Sequence, residues 1–220
     1  MKIELVENVL KANDELAALN RKQFSDAGVF CIDLLGGPGC GKTALIEATL
    51  QRIGYAGVIV GDLATQRDAE RMARFTDQVV QINTGKGCHL EAHHVMRAMS
   101  RIDLSRIDFL FIENVGNLIC PVGFDLGQHV KVGMFSTTGG DDKAAKHPYI
   151  VHESNLLLLN KIDLLRHVPF NLAVFRGDVR RLNPTVEMLE LSALTGDGIE
   201  QWVAWIDQQR EHWIGRKAVL

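Results

Sequence analysis

The chain predicts a doubly wound α/β fold, a single mostly parallel sheet of about seven strands with helices on both faces. Three observations carry this. Seven short runs rich in Val, Ile, Leu and Phe recur along 220 residues, separated by stretches long enough for helices. Continuous apolar runs of this kind belong to strands covered on both sides. A glycine-rich loop follows the first run and opens a helical stretch, as in a strand–loop–helix unit. The balance of 46% hydrophobic and 23% charged residues supports a folded core and excludes a disordered chain.

In chain order, residues 1–25 place Leu5, Val9, Leu10, Leu16 and Leu19 at helical spacing, an amphipathic helix ahead of the sheet. The strands are expected over 29–35, 57–60, 78–83, 108–112, 130–135, 155–160 and 186–191. The segment REHWIGRKAVL, beyond about residue 210, reads as a helix end and tail. No repeat, low-complexity tract or linker divides the chain, so 1–220 reads as one unit with its core over 28–210. No apolar run reaches about 18 residues and the charged N-terminus lacks a signal-peptide core, which points to a cytoplasmic protein away from membranes. A net charge of −3 gives no general attraction to nucleic acid. Cys31, Cys40, Cys88 and Cys120 are widely spaced and are expected as free thiols, metal ligands or small core residues rather than disulfides.

The strongest motif is Gly36-Gly37-Pro38-Gly39-Cys40-Gly41-Lys42-Thr43, a match to G-x-x-x-x-G-K-[ST] between a strand and a helix. Its glycines let backbone N–H groups face phosphates, Lys42 neutralises phosphate charge, and the Thr43 hydroxyl can ligate Mg2+. Cys40 fills a small position. Glu113 ends the run FLFIE, with Gly116 three residues on, an acid at a strand end leading into a DxxG-like switch whose Gly116 N–H can meet a γ-phosphate. Asp62, ending GVIVGD, is a second candidate for the Mg2+ shell, with helix capping as its alternative, and residues 64–71 form a candidate switch segment.

Base selection enters with Asn160-Lys161-Ile162-Asp163 after LLLL. A carboxylate in this N-K-x-D pattern accepts from guanine N1–H and N2–H, donors that adenine does not offer together, so Asp163 selects GTP over ATP. Ser192-Ala193-Leu194 follows the last strand as an accessory loop that would touch guanine O6 through a backbone N–H. In-line transfer of the γ-phosphoryl group to water is the expected reaction. Asn117, not glutamine, follows Gly116, so slow intrinsic hydrolysis is expected, raised by dimerisation or a partner.

The run GKGCHLEAHH, residues 85–94, is expected to begin a helix whose buried positions are Leu90, Val95, Met96 and Met99. In that reading Cys88 sits at the helix N-terminus, which favours the thiolate, and His89 and His93 share a face four residues apart. Taken alone, the ten residues read as readily as a buried thiol and surface histidines. Cys120 shifts the balance: seven residues after Glu113, it lies within about 25 Å of the proposed Mg2+ site and on the same segment as the switch. Thiolates with imidazole suit Zn2+ or Ni2+, and a two-fold dimer sharing the ligands is consistent with so few per chain.

The strings GGPGCGKTAL, GDLATQRDAER, QINTGKGCHLEAH, FIENVGNLICP, GDDK, NKID and SAL, spanning about residues 30–195, resemble the hydrogenase maturation GTPases of the HypB type. The resemblance implies a P-loop GTPase of the SIMIBI class that forms a GTP-dependent homodimer. It implies nickel or zinc held by Cys88, His89 and Cys120, with His93 an additional ligand, and nickel passed toward the precursor of the nickel-iron hydrogenase large subunit. A nickel-binding accessory partner of the HypA type is implied too. Two departures stand out: no Cys-rich or His-rich tract precedes the GTPase region, which argues against nickel storage, and Gly37 stands where several relatives carry a lysine that reaches across a dimer. A urease-type nickel GTPase typically carries a Cys-Pro-His motif, absent here. The remaining rivals are a non-catalytic metal-delivery module and a small-molecule kinase, the latter opposed by NKID.

Overall fold

Each apolar run becomes a strand. The computed structural model describes residues 3–62, 67–85 and 87–217. In chain order it contains α1 (Ile3–Ala27), β1 (Phe30–Gly36), α2 (Lys42–Leu50), β2 (Ala56–Asp62), α3 (Arg67–Met72), β3 (Val79–Asn83), α4 (Ala92–Met99) and β4 (Phe109–Glu113). There follow β5 (Val130–Ser136), α5 (Lys143–Lys146), α6 (Pro148–Glu153), β6 (Leu156–Asn160), α7 (Leu172–Leu182), β7 (Glu187–Glu190) and α8 (Ile199–Lys217). The strands form one seven-stranded sheet in the order β3-β2-β4-β1-β5-β6-β7. Every strand pair is parallel, which removes the qualifier "mostly" from the sequence expectation.

Central β1, β4 and β6 are buried along their whole length, whereas edge strand β3 is half-buried. Side chains alternate between the two faces. Phe30, Ile32 and Leu34 of β1 pack with Leu45 and Ile46 of α2 and with Trp202 and Ile206 of α8. On the other face Cys31, Leu110 and Ile112 lie among Val95 and Met99 of α4 and Phe24 of α1. Leu35, Phe135 and Leu159 share that face with Ile150 of α6 and Phe175 of α7. The polar end of the Trp202 ring is satisfied by donation from Nε1 to Thr49 Oγ1 at 2.9 Å.

The predicted first helix is present, but its buried stripe is Asn13, Ala17, Asn20 and Phe24 rather than the leucines. Leu19 is 53% exposed, Leu10 is exposed and Leu16 half-buried, and the side chains of Leu5 and Val9 lie outside those described. The reason is backbone satisfaction. Asn20 Nδ2 donates to the carbonyls of Ala92 (2.8 Å) and Leu126 (3.0 Å). Asn13 Nδ2 donates to Asp125 O at 2.8 Å, while its Oδ1 accepts from the Ala92 N–H at 2.9 Å. Buried amides left unpaired are costly, so two asparagines outrank leucines at these positions. They clamp the start of α4 to the loop ahead of β5.

The C-terminal segment is more than a helix end. Helix α8 continues to Lys217, with the Trp213 ring centroid 4.4 Å from that of His129 and 5.8 Å from that of Phe30, and Arg210 paired with Asp108. Residues 218–220 lie outside the described residues. Among the described residues no helix is long and apolar enough to cross a membrane.

Asn20→Ala strands the Ala92 and Leu126 carbonyls without their donor, so it is expected to lower unfolding stability by about 2–4 kcal/mol. Urea denaturation followed by circular dichroism measures this, and a loss below about 0.5 kcal/mol would exclude the clamp.

Candidate functional site

The residues singled out by sequence converge at the carboxyl edge of the sheet, the crevice where doubly wound folds bind ligands. Gly36 closes β1 level with Met134 of β5. Beyond it, Gly39 and Gly41 take φ of 72° and 100°, values that glycine adopts without steric cost. Space demands glycine as well. A Cβ on Gly36 would lie 2.7 Å from both Cys40 Sγ and Met134 O, and one on Gly41 would collide with the Asn160 amide. Cys40, 4% exposed, fills the hollow beneath Gly36, the small-residue role expected of it. Lys42 is buried and its Nζ donates to Gly36 O at 3.2 Å, which holds an ammonium inside the curl. No side chain caps the start of α2 at Gly41, so its first N–H groups face the loop and make an anion cradle.

Thr43 Oγ1 donates to Glu113 Oε1 at 2.7 Å. Glu113 is 5% exposed and its Oε2 is buried with no hydrogen-bond partner. Burial pushes its carboxyl up to about 7, opposed by the Lys42 charge and the Thr43 hydrogen bond. An orphaned, buried carboxylate oxygen beside a threonine hydroxyl fits a hard divalent cation such as Mg2+. Asp62, Asp68 and Arg71 line the same cleft of about 410 Å³, with Pro38, Gly39, Lys42 and Lys161. Arg71 Nε donates to Glu47 Oε1 at 2.9 Å, and its Nη1 lies 3.5 Å from Asp68 Oδ1. Of the candidate switch at 64–71, residues 64–66 lie outside the described residues. A Cβ on Gly116 would fall 3.0 Å from Pro38 Cα, so this glycine permits close contact with the phosphate loop.

Asn160 ties the other end of the cleft together. Its Nδ2 donates to Cys40 O at 2.9 Å and its Oδ1 accepts from the Ala193 N–H at 3.0 Å, which spends that N–H within the protein. Ser192 is fully buried and its Oγ accepts from the Thr195 N–H at 3.1 Å, whereas Leu194 is 86% exposed. Lys161 adopts φ 64°, and its carbonyl accepts from Thr137 Oγ1 at 2.7 Å. Asp163 Oδ1 is buried without a partner, an acceptor in need of N–H donors such as those of a guanine edge.

The thiol and imidazole cluster differs from its sequence reading. Helix α4 begins at Ala92, with Glu91 as its N-cap, so Cys88 and His89 belong to the preceding loop, and His89 and His93 do not share a helical face. The helix starts late because Glu91 and His94 form a reciprocal cap: the Glu91 side chain accepts from the His94 N–H while His94 Nδ1 accepts from the Glu91 N–H at 3.0 Å. These two residues define the helix end. Leu90, Val95 and Met99 are buried as expected, but Met96 is exposed and Ala92 and Ala98 take the remaining core positions.

Cys120 lies against Cys88. The neighbouring Cys120 thiol, followed by burial, raises the Cys88 pKa, opposite to the lowering expected from a helix N-terminus. Cys88 Sγ is 3.4 Å from His89 Nδ1. The His89 ring packs on Phe124 with centroids 4.0 Å apart, and its Nε2 is buried without a hydrogen bond, 3.8 Å from Glu91 Oε1. Burial lowers the His89 pKa against the pull of Glu91, favouring the neutral imidazole that binds metals. His93 Nδ1 instead faces Glu91 Oε2 at 3.4 Å. Among the described residues no group of three His, Cys, Asp or Glu side chains is arranged to hold a metal ion; one chain offers a thiol pair with one adjacent imidazole.

Two residues went unnoticed in the sequence. Asp33, fully buried in β1, has its carboxyl raised to about 7 by burial, against the Asn114 hydrogen bond. Asn114 Nδ2 donates to Asp33 Oδ1 at 3.1 Å, and its Oδ1 accepts from the N–H groups of Leu90 (3.2 Å) and Val115 (3.0 Å). This network connects the end of β4 to the loop bearing Cys88 and His89. The available signal was a charge inside the apolar run VFCIDLL.

Residues 31–190 match the family described as CobW/HypB/UreG, nucleotide-binding domain. The chain is 44% identical over 211 residues to the hydrogenase maturation factor HypB of Azotobacter vinelandii, an alignment covering 94% of this chain and 70% of that one. Its structure is similar to that of HypB from Archaeoglobus fulgidus, with TM-score 0.85 and 39% identity over 91% of this chain and 100% of that chain. It is similar as well to HypB from Helicobacter pylori in complex with nickel, with TM-score 0.88 and 29% identity over 91% of this chain and 96% of that chain.

Asp163→Asn replaces an acceptor oxygen with a donor. It is expected to weaken GTP binding by about 100-fold or more and to improve binding of xanthosine triphosphate, whose ring presents a carbonyl in place of the guanine amino group. Competition against a fluorescent nucleotide checks both; unchanged GTP affinity would remove Asp163 from the base site.

Proposed function

The chain belongs to the CobW/HypB/UreG family of P-loop GTPases, and we propose that it is a GTP-hydrolysing metallochaperone coupling GTP-dependent dimerisation to nickel delivery during nickel-iron hydrogenase maturation. GTP hydrolysis is the general activity of the family, and its relatives are hydrogenase maturation factors. The observation that carries the proposal is the placement of Cys88 beside Cys120, whose own segment begins at the nucleotide cleft with Glu113, Asn114 and Gly116.

In this reading the backbone from Gly36 to Gly41 and Lys42 hold the phosphates, and Thr43, Glu113 and Asp62 hold Mg2+. When bound, Mg2+ supplies charge neutralisation on the phosphate oxygens. Gly116 presents its N–H to the γ-phosphate, Asp163 reads guanine, and Asn160 with the 192–194 turn shapes the base pocket. Residues 28–210 act as one GTPase unit behind the helix at 1–25. The transported metal, nickel or zinc, is held by Cys88, Cys120 and His89, with His93 a further donor. Two thiols and one adjacent imidazole fall short of a four-ligand set, which supports a site completed by a second copy in a two-fold dimer. The partners are a HypA-type nickel-binding protein and the hydrogenase large-subunit precursor, in the cytoplasm.

Slow intrinsic turnover follows from what stands after Gly116. The Asn117 side chain is already engaged by the Ile119 N–H at 2.9 Å and is not available to orient an attacking water. Quenched single-turnover assays on dilute protein are expected to give well under about 1 s⁻¹, and a faster rate would reject the proposal of an activating partner or dimer.

Nickel titration with and without GTP separates the metal reading from its rivals. Cys88→Ala and Cys120→Ala are each expected to weaken nickel binding by at least about tenfold and to diminish the thiolate-to-nickel absorption. Wild-type affinity in both variants would refute the site.

A further inference from the structure

Three consecutive residues after β4 lie against the phosphate loop. A Cβ on Gly116 would fall 3.0 Å from Pro38 Cα, and one on Gly37 would fall 3.6 Å from the Leu118 side chain. Between them, Asn117 forms an isolated antiparallel bridge with Gly36, the residue that ends β1 and starts the loop. The main chain of Asn117 is therefore coupled to the first phosphate-loop glycine.

Its side chain faces the opposite way in function. Asn117 Oδ1 accepts from the N–H groups of Ile119 (2.9 Å) and Cys120 (3.4 Å), and its Nδ2 donates to the Cys88 carbonyl across a long 3.5 Å contact. These partners fix the amide orientation, because backbone N–H groups require the oxygen and a carbonyl requires the nitrogen. One side chain thus grips the backbone of both cysteines, whose segments are otherwise far apart in sequence. Cys88 hangs on the weaker of the two arms.

We infer that Asn117 is the positioning residue through which the phosphate loop sets the spacing of Cys88 and Cys120. The inference rests on the reading of those cysteines as metal ligands. A shift of the loop around a γ-phosphate moves the Asn117 backbone through the Gly36 bridge, and the side chain transmits that displacement to both thiols. The longer Cys88 arm is the one released first, so the change in nucleotide alters the distance between the two sulfurs and hence their grip on a metal. A conserved distance between sites is not required; a shared joint is sufficient to couple two ligands.

Asn117→Asp isolates the two arms. It retains an oxygen for the Ile119 and Cys120 N–H groups but sets a second oxygen against the Cys88 carbonyl, which releases Cys88 alone. Asn117→Ala releases both. Ni2+ is titrated into the full-length wild type and the two variants, each with GDP or a non-hydrolysable GTP analogue, and followed by thiolate-to-nickel charge-transfer absorption. The wild type is expected to differ between nucleotides by about fivefold or more in nickel affinity. Both variants are expected to bind a fluorescent GDP analogue within about twofold of wild type, to lose about tenfold in nickel affinity in the tighter nucleotide state, and to show a nucleotide ratio near one.

A wild-type ratio preserved in both variants overturns the inference, even where nickel affinity falls equally in the two states, because that outcome belongs to loop support alone. Loss of GDP binding in both variants overturns it by making Asn117 part of the phosphate loop itself, and a wild type without any nucleotide ratio overturns it by leaving no coupling to carry. Cys88→Ala and Cys120→Ala in the same titration separate the two levels. Wild-type nickel binding in both would defeat the metal reading and the inference together, whereas nickel binding lost in them with the ratio intact in the Asn117 variants defeats the inference only.

Discussion

The tight curl of backbone between Gly36 and Gly41 is the constraint that the rest of the carboxyl edge serves. Two of its positions admit no Cβ: Cys40 and Met134 crowd Gly36, and Asn160 crowds Gly41. The strands on either side must therefore end at fixed heights. Leu34 of β1 is in register with Glu113 of β4, and Ser136 of β5 with Asn160 of β6. Those registers bring Glu113 and Asn160 from distant parts of the chain to the loop and to Thr43, which directly follows it. A strand slipped by one residue would turn Glu113 or Asn160 to the opposite face.

Charge buried at this edge is tolerated because it is partnered in part and left incomplete in a specific place. Lys42 and Glu113 are both nearly buried, and the Lys42 charge opposes the desolvation of the Glu113 carboxylate. Glu113 Oε2 and Asp163 Oδ1 remain without hydrogen bonds. Such gaps cost stability in the free protein. Glu113 Oε2, in the cleft, and Asp163 Oδ1, just beyond β6, are where a cation and a base would repay that cost in the proposed function.

The cysteine loop shows how local and tertiary demands compete. Periodicity placed Cys88 and His89 on a helix, since HLEAHHVMRAM carries helical spacing throughout. The reciprocal Glu91–His94 cap stops the helix at Ala92, and Asn13 and Asn20 of α1 take up the Ala92 backbone groups from outside. Freed from the helix, residues 88–90 are held by Asn114 and Asn117 instead. Four asparagines, none with a hydrophobic signature, thus shape the region that carries the proposed metal ligands.

What the sequence determined by itself was everything encoded in local periodicity and contiguous motifs. The seven strands, the phosphate loop, the acid at the end of β4 and the N-K-x-D run were legible because each is a short segment whose chemistry depends on its own neighbours. Tertiary structure alone decided which face of α1 is buried, that the backbone groups of Ala92 rest on Asn13 and Asn20, and that the charge of Asp33 rests on Asn114. The physical reason is that these outcomes turn on hydrogen bonds between residues far apart in the chain. An asparagine in a helix reads as a polar surface residue until the orphaned backbone group opposite it is known.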